Sequence, residues 1–229
     1  MKSSKIPFPL VHKKSSLPTM AVLMGIIGSI PVLMVLWVAI CSQFTKVEGT
    51  NETALYNVYV WIRALFAVSV VAGGVIYDIR RASIALLPAS VLGLISSFTK
   101  LIIAMSVYFD KKTFADSMSM KANYTQNYID MAEAAFLFVS MVLMVLYLVG
   151  LLKTGYPLIF GTIVTIIIVL YSVIYYSTIY PVSNFTVLSR CYAVPLCIGA
   201  LLFAVSSKTK AQINGTVKKE KYVPRRMKA

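Results

Sequence analysis

Histidine is nearly absent: the single imidazole is His12, in a polar stretch ahead of the first apolar run. A serine–histidine hydrolase needs a positioned base beside its nucleophile, and His12 stands far from any such partner. Cysteine is scarce as well. Cys41, Cys191 and Cys197 lie in or beside apolar runs, without the paired spacing of a disulfide framework or a zinc site, and read as packing residues. The chain also lacks H-E-x-x-H, a glycine-rich phosphate loop, C-x-x-C and a dinucleotide fingerprint. Nothing in the inventory asks for a metal or a cofactor. Acidic residues are few, eight against 22 Lys and Arg, which leaves a formal net charge of +14. A basic soluble face would suit nucleic acid. Here the cations gather at the chain ends and at the borders of apolar runs, so no nucleic-acid partner is expected.

What the chain has in abundance is hydrocarbon. Of its 229 residues, 59% are hydrophobic, and the mean hydropathy is +0.79, far above a soluble globular composition. Several apolar runs approach or exceed the roughly 20 residues that carry a helix across about 30 Å of bilayer. Transmembrane strands would alternate apolar and polar residues over short stretches, and these runs do not. The expected fold is all-α: a polytopic membrane protein, a bundle of six transmembrane helices with spans near 20–43, 56–77, 83–108, 131–152, 156–179 and 187–207. The first apolar run is long and lacks a small-residue cleavage site, so it reads as a retained span rather than a signal peptide.

Six spans put both termini on one side, and the distribution of cations says which. The N-terminal tail, the Asp78 to Arg81 turn, Lys153 and the C-terminal tail together carry fifteen of the 22 basic residues. By the positive-inside rule that side is cytoplasmic, with the plasma membrane as the expected location. The organisation is then a basic tail over 1–19, a membrane domain over 20–207 and a second basic tail over 208–229. The tails are too polar to fold alone. Their natural partners are anionic membrane lipids or a cytoplasmic or membrane partner subunit, for which Asp78, Arg80 and Arg81 form a candidate docking turn. Asn-x-Thr triplets occur at Asn51, Asn123, Asn184 and Asn214, the first three in expected external loops.

Three cations fall inside spans: Arg63, Lys100 and Arg190. Steps of three and four residues around Lys100 give Ser90, Gly93, Ser97 and Ala104, a seam of small side chains that suits a helix interface better than a lipid face. Arg190 heads a similar seam of Ala193, Cys197, Ala200 and Ala204, and Arg63 shares a flank with Ala67 and Gly74. All three stand toward the external side, where Asp130 and Glu133, at i and i+3, open the fourth span on one face. The five residues are expected to converge. The bland reading is a set of ion pairs that docks the helices. The functional reading is an external vestibule with one surplus positive charge, ligand-binding through Arg63, Lys100, Asp130, Glu133 and Arg190. Tyr59, Trp61, Tyr108, Tyr128 and Tyr192 lie near that level, as vestibule lining or as an interfacial belt.

Two classes of function follow. One is a small transport component that binds an anionic or zwitterionic solute from outside and leaves energy coupling to a partner. The other is a non-transporting scaffold, assembly factor or sensor whose embedded charges are structural. Carboxylate chemistry through Asp130 and Glu133 is the one enzymatic route the residues leave open, and the neighbouring cations favour salt bridging over it.

Overall fold

The computed structural model of the protein describes residues 19–30, 33, 54–80, 83–152, 154–181 and 185–205, and every regular element among them is helical. We label these α1 (Thr19–Ile30), α2 (Ala54–Arg80), a 3-10 turn (Ser83–Leu86), α3 (Leu87–Ser117), α4 (Thr125–Leu148), α5 (Tyr156–Ile179) and α6 (Phe185–Val205). Helices α2 to α5 each hold a stretch long and apolar enough to cross a membrane, while the apolar stretches Thr19–Ile30 and Ala193–Val205 are shorter. The chain is an integral membrane protein with an all-helical core.

Helix ends follow local chemistry more closely than they follow hydropathy. The fifth span was expected at 156–179 and is observed there, with Pro157 in the first turn, where a missing N–H costs nothing. The third was expected to stop at 108, yet α3 runs on to Ser117 through DKKTFADS, giving 31 residues and a length of about 46 Å. That extension is polar but holds no glycine or proline, so nothing ends the helix until Ser119 turns left-handed at φ 50°. In the same way α4 starts six residues before the expected 131. The Asn123 Oδ1 accepts the Thr125 N–H at 2.9 Å, which fixes the turn into the helix. It stops at Leu148 rather than 152 because Gly150 adopts φ 82°, and the Leu151 N–H then returns to the Leu146 carbonyl at 2.9 Å.

Helix α4 lies against α3 and α5, α2 packs chiefly on α3 and α6 chiefly on α5, and α1 stands between α2 and α6, close to Gly74 of the one and Gly199 of the other. At Gly93 the helices come so close that a Cβ would stand 2.8 Å from the Phe66 ring and 2.9 Å from the Met141 sulfur. Two apolar cores result. One gathers Tyr77, Met144, Tyr147, Leu158 and Phe203, with Phe203 edge-on to both tyrosines at 5.9 and 6.3 Å. The other, at the opposite end, joins Ile129, Tyr176 and Val187.

The pattern on α5 shows which solvent the fold is built for. Its buried positions are Leu158, Thr162, Thr165, Val169, Ser172 and Tyr176, four of them hydroxyls, on one stripe. Phe160, Ile163, Ile167, Leu170 and Ile174 face outward. A helix in water would show the reverse. In hydrocarbon, polar side chains gain by turning inward to find partners.

Candidate functional site: a buried charge ladder across four helices

Midway along α3 and in the third turn of α4, Lys100 and Glu133 meet. The Lys100 Nζ lies 2.5 Å from the Glu133 Oε1. The other carboxylate oxygen, Oε2, accepts the Ser172 hydroxyl of α5 at 2.8 Å and the Arg190 Nε of α6 at 3.2 Å. Arg190 then reaches outward: its Nη2 donates to the Asp130 Oδ1 at 2.6 Å. Asp130 stands one turn before Glu133 on the same face of α4, as the i, i+3 spacing requires. The order is Lys100, Glu133, Arg190, Asp130, alternating in sign and summing to zero.

Two hydroxyls from α5 brace the ladder. Ser172 donates to Glu133 and also accepts the Arg190 Nε at 3.0 Å. One turn on, the Tyr176 hydroxyl lies 3.0 and 2.9 Å from the two Asp130 oxygens, and its ring sits beneath the Arg190 guanidinium at 3.8 Å. The guanidinium is thus held by its edge to carboxylates and by its face to an aromatic ring, an arrangement that its planar fork permits and an ammonium does not.

Burial grades along the ladder. The side chain of Glu133 is 2% exposed and that of Arg190 11%, whereas Lys100 at the inner end and Asp130 at the outer end keep 24% and 32%. The interior of the ladder is therefore saturated and only its ends are open. Removing a charge from water and from its counter-ion costs several kcal/mol. Glu133 tolerates its position because three donors converge on its two oxygens.

Below the ladder the α4–α5 seam remains polar. The Ser140 and Thr165 hydroxyls are 2.6 Å apart, and Thr165 is also within reach of the Gly161 and Phe136 carbonyls at 2.8 and 3.1 Å. Val169, fully buried, separates this pair from Ser172.

The structure brings together four of the five residues expected to converge. Arg63 is the exception. Its Nη1 donates to the Tyr59 hydroxyl one turn earlier on α2, at 3.1 Å, with the guanidinium 5.8 Å from that ring, and among the described residues no ion pair includes it. The reason is positional: α2 packs chiefly on α3, so Arg63 finds an aromatic on its own helix. The surplus positive charge expected of a vestibule is accordingly not in the ladder. Lys100, for its part, does not snorkel to lipid headgroups; its seam of Ser90, Gly93 and Ser97 is buried.

Of the expected aromatic lining, Trp61 and Tyr128 are more than half exposed, as an interfacial belt requires. Tyr108, Tyr124 and Tyr128 cluster at the α3–α4 end with ring separations of 5.4 to 6.4 Å. There Lys111 donates to the Asn123 carbonyl at 2.7 Å. The side chain of Tyr192 lies outside the described residues, as do those of Asp78 and Arg80 and all of Arg81. Among the described residues no group of three ligating side chains is placed to hold a metal.

In the sequence Ser172 and Tyr176 are two of several hydroxyls within the fifth span, and no motif sets them apart. Thr162, Ser177 and Thr178 do bond back to their own helix. Ser172 and Tyr176 instead cross to α4, and the available signal was their register, seven and eleven residues after Thr165 on one stripe. Comparison with protein families, curated proteins and solved structures finds no match to this chain.

Proposed function

We propose that the protein is a six-span plasma-membrane protein with cytoplasmic termini, and that the ladder is the lock that holds α3, α4, α5 and α6 as one body. In this reading it is a scaffold or assembly component, with its basic tails offered to anionic lipid or to a partner. The observation that carries it is charge balance: each buried charge already has an opposite partner, and Glu133, at 2% exposure, has no free oxygen to give a ligand. A solute would have to break pairs that cost about 3–5 kcal/mol to orphan.

A second reading is favoured by the open ends. Lys100 and Asp130 present one cation and one anion, each partly exposed, which suits a zwitterionic solute better than an anionic one. The protein would then be a small transport component, coupled to energy by a partner.

Charge-balanced substitution separates the two. Lys100→Met and Glu133→Gln each unbalance the ladder by one charge, and in a lock each lowers the thermal midpoint in detergent. The double variant restores neutrality and recovers most of the loss. If the ladder is instead a solute site, the double variant stays folded yet loses a small molecule that native mass spectrometry finds on the wild-type protein; that result sinks the lock.

A further inference from the structure

Toward the end of the bundle away from the ladder, α1, α2, α3, α4 and α6 line a half-open cavity of about 80 Å³, with Val22, Phe66, Gly74, Ala89, Met144 and Ala200 among its walls. Along the helices its walls begin about 9 to 15 Å from the ladder: Leu196 is six residues after Arg190, Met141 eight after Glu133, and Ser90 ten before Lys100. The one hydroxyl among its lining side chains, that of Ser90, is spent on the Leu86 carbonyl at 2.9 Å. The cavity therefore offers dispersion contacts and almost nothing else, and a polar solute entering it would lose its water without compensation.

We propose that this cavity takes the end of one acyl chain of an anionic membrane phospholipid. Three observations fix the chemistry. The lining is hydrocarbon, so the ligand is hydrocarbon. The volume is about half that of the 150 Å³ apolar cavity that holds a benzene ring, so the occupant is a short run of methylenes and not a fused-ring molecule. Finally, the segments that join this end of the bundle, namely the residues before α1, the α2–α3 and α4–α5 connections and the residues after α6, carry fifteen of the 22 Lys and Arg. That excess selects a negative headgroup at the membrane surface above the cavity. At this depth acyl chains are the solvent, and one that enters supplies the atomic contacts an empty void forgoes. The proposal is independent of what the ladder does.

The test is photolabelling of the full chain in bilayer nanodiscs that contain phosphatidylglycerol carrying a diazirine near the acyl terminus, with adducts mapped by peptide mass spectrometry. The expected result is several-fold more adduct on Met141, Met144 and the stretch from Leu196 to Phe203 than on the outward face of α5 at Ile163 and Ile167. Ala200→Leu and, as an independent filling, Ala89→Leu bring cavity adducts down to the α5 level while leaving α5 adducts unchanged. Phosphatidylcholine with the same diazirine labels the cavity less. Cavity labelling no higher than that of α5 in the wild-type protein overturns the proposal whether or not the variants fold, and so does labelling that survives in folded, filled variants. Equal labelling by the two headgroups overturns the anionic assignment.

Discussion

At the scale of single residues, the ladder separates side chains that carry charge from those that place it. Ser172 carries none, yet it is the hinge of the arrangement: its one hydrogen goes to Glu133 and its lone pair takes the Arg190 Nε. Ser172→Ala removes a hydrogen bond to a buried carboxylate and is expected to cost about 1.5–3 kcal/mol. Tyr176 does two things that can be separated. Tyr176→Phe loses the hydroxyl on Asp130 but keeps the ring under Arg190, for an expected cost of about 1 kcal/mol, because Asp130 is partly exposed and water can replace the donor. Tyr176→Leu loses the ring as well and adds about 1–2 kcal/mol. Equilibrium unfolding in mixed micelles checks the order wild type, Tyr176→Phe, Tyr176→Leu. Equal losses for the two variants would show that the stacking at 3.8 Å contributes nothing.

At the scale of helices, two left-handed residues among those described give an opposed pair of predictions. Gly150, at φ 82°, ends α4 with the residue suited to that conformation, so Gly150→Ala is expected to destabilise by about 1 kcal/mol. Ser119, at φ 50°, ends α3 with a residue that is not. Ser119→Gly relieves that strain and is expected to stabilise by up to about 1 kcal/mol, less the extra backbone freedom of glycine in the unfolded chain. Thermal midpoints measured side by side check the opposite signs. These ends also show what the sequence made legible. The limits of α5 stand where Pro157 and Pro181 punctuate an apolar run, and they were readable. The overshoot of α3 was not, because hydropathy marks where a helix leaves lipid and not where it stops being a helix. The same division holds in the site. Seams of small residues on α3 and α6 announced that Lys100 and Arg190 point inward. Nothing in the pattern told whether a hydroxyl on α5 would bond back, as Thr162 does, or across, as Ser172 does. Arg63 was misjudged for a related reason: depth in a span fixes a level, whereas its side chain was free to choose between a distant carboxylate and Tyr59 one turn away.

At the scale of the whole molecule, the ladder lies toward one end of the helices while the lysine-rich and arginine-rich segments of the sequence are joined to the other, and this polarity makes topology testable. The connection between α3 and α4 holds Ser119 and Lys121, both exposed, and that between α4 and α5 holds Thr154, also exposed. One span separates the two connections, so they lie on opposite sides of the membrane if α4, with 24 residues and a length of about 36 Å, crosses it. In the proposed orientation, with the cation-rich segments cytoplasmic, the α3–α4 connection is external. In a background with Cys41, Cys191 and Cys197 replaced, Lys121→Cys is expected to react with a membrane-impermeant maleimide on intact cells, and Thr154→Cys only after permeabilisation. Reaction of both on intact cells means that α4 does not cross. Reaction of Thr154→Cys alone inverts the orientation and places the ladder toward the cytoplasm. The lock survives that inversion, because its charges are balanced among themselves and not against a solvent on one side. A solute-binding reading does not survive it unchanged, since Asp130, the more exposed end of the ladder, would then open to the cell interior and the protein could not receive a zwitterion from outside.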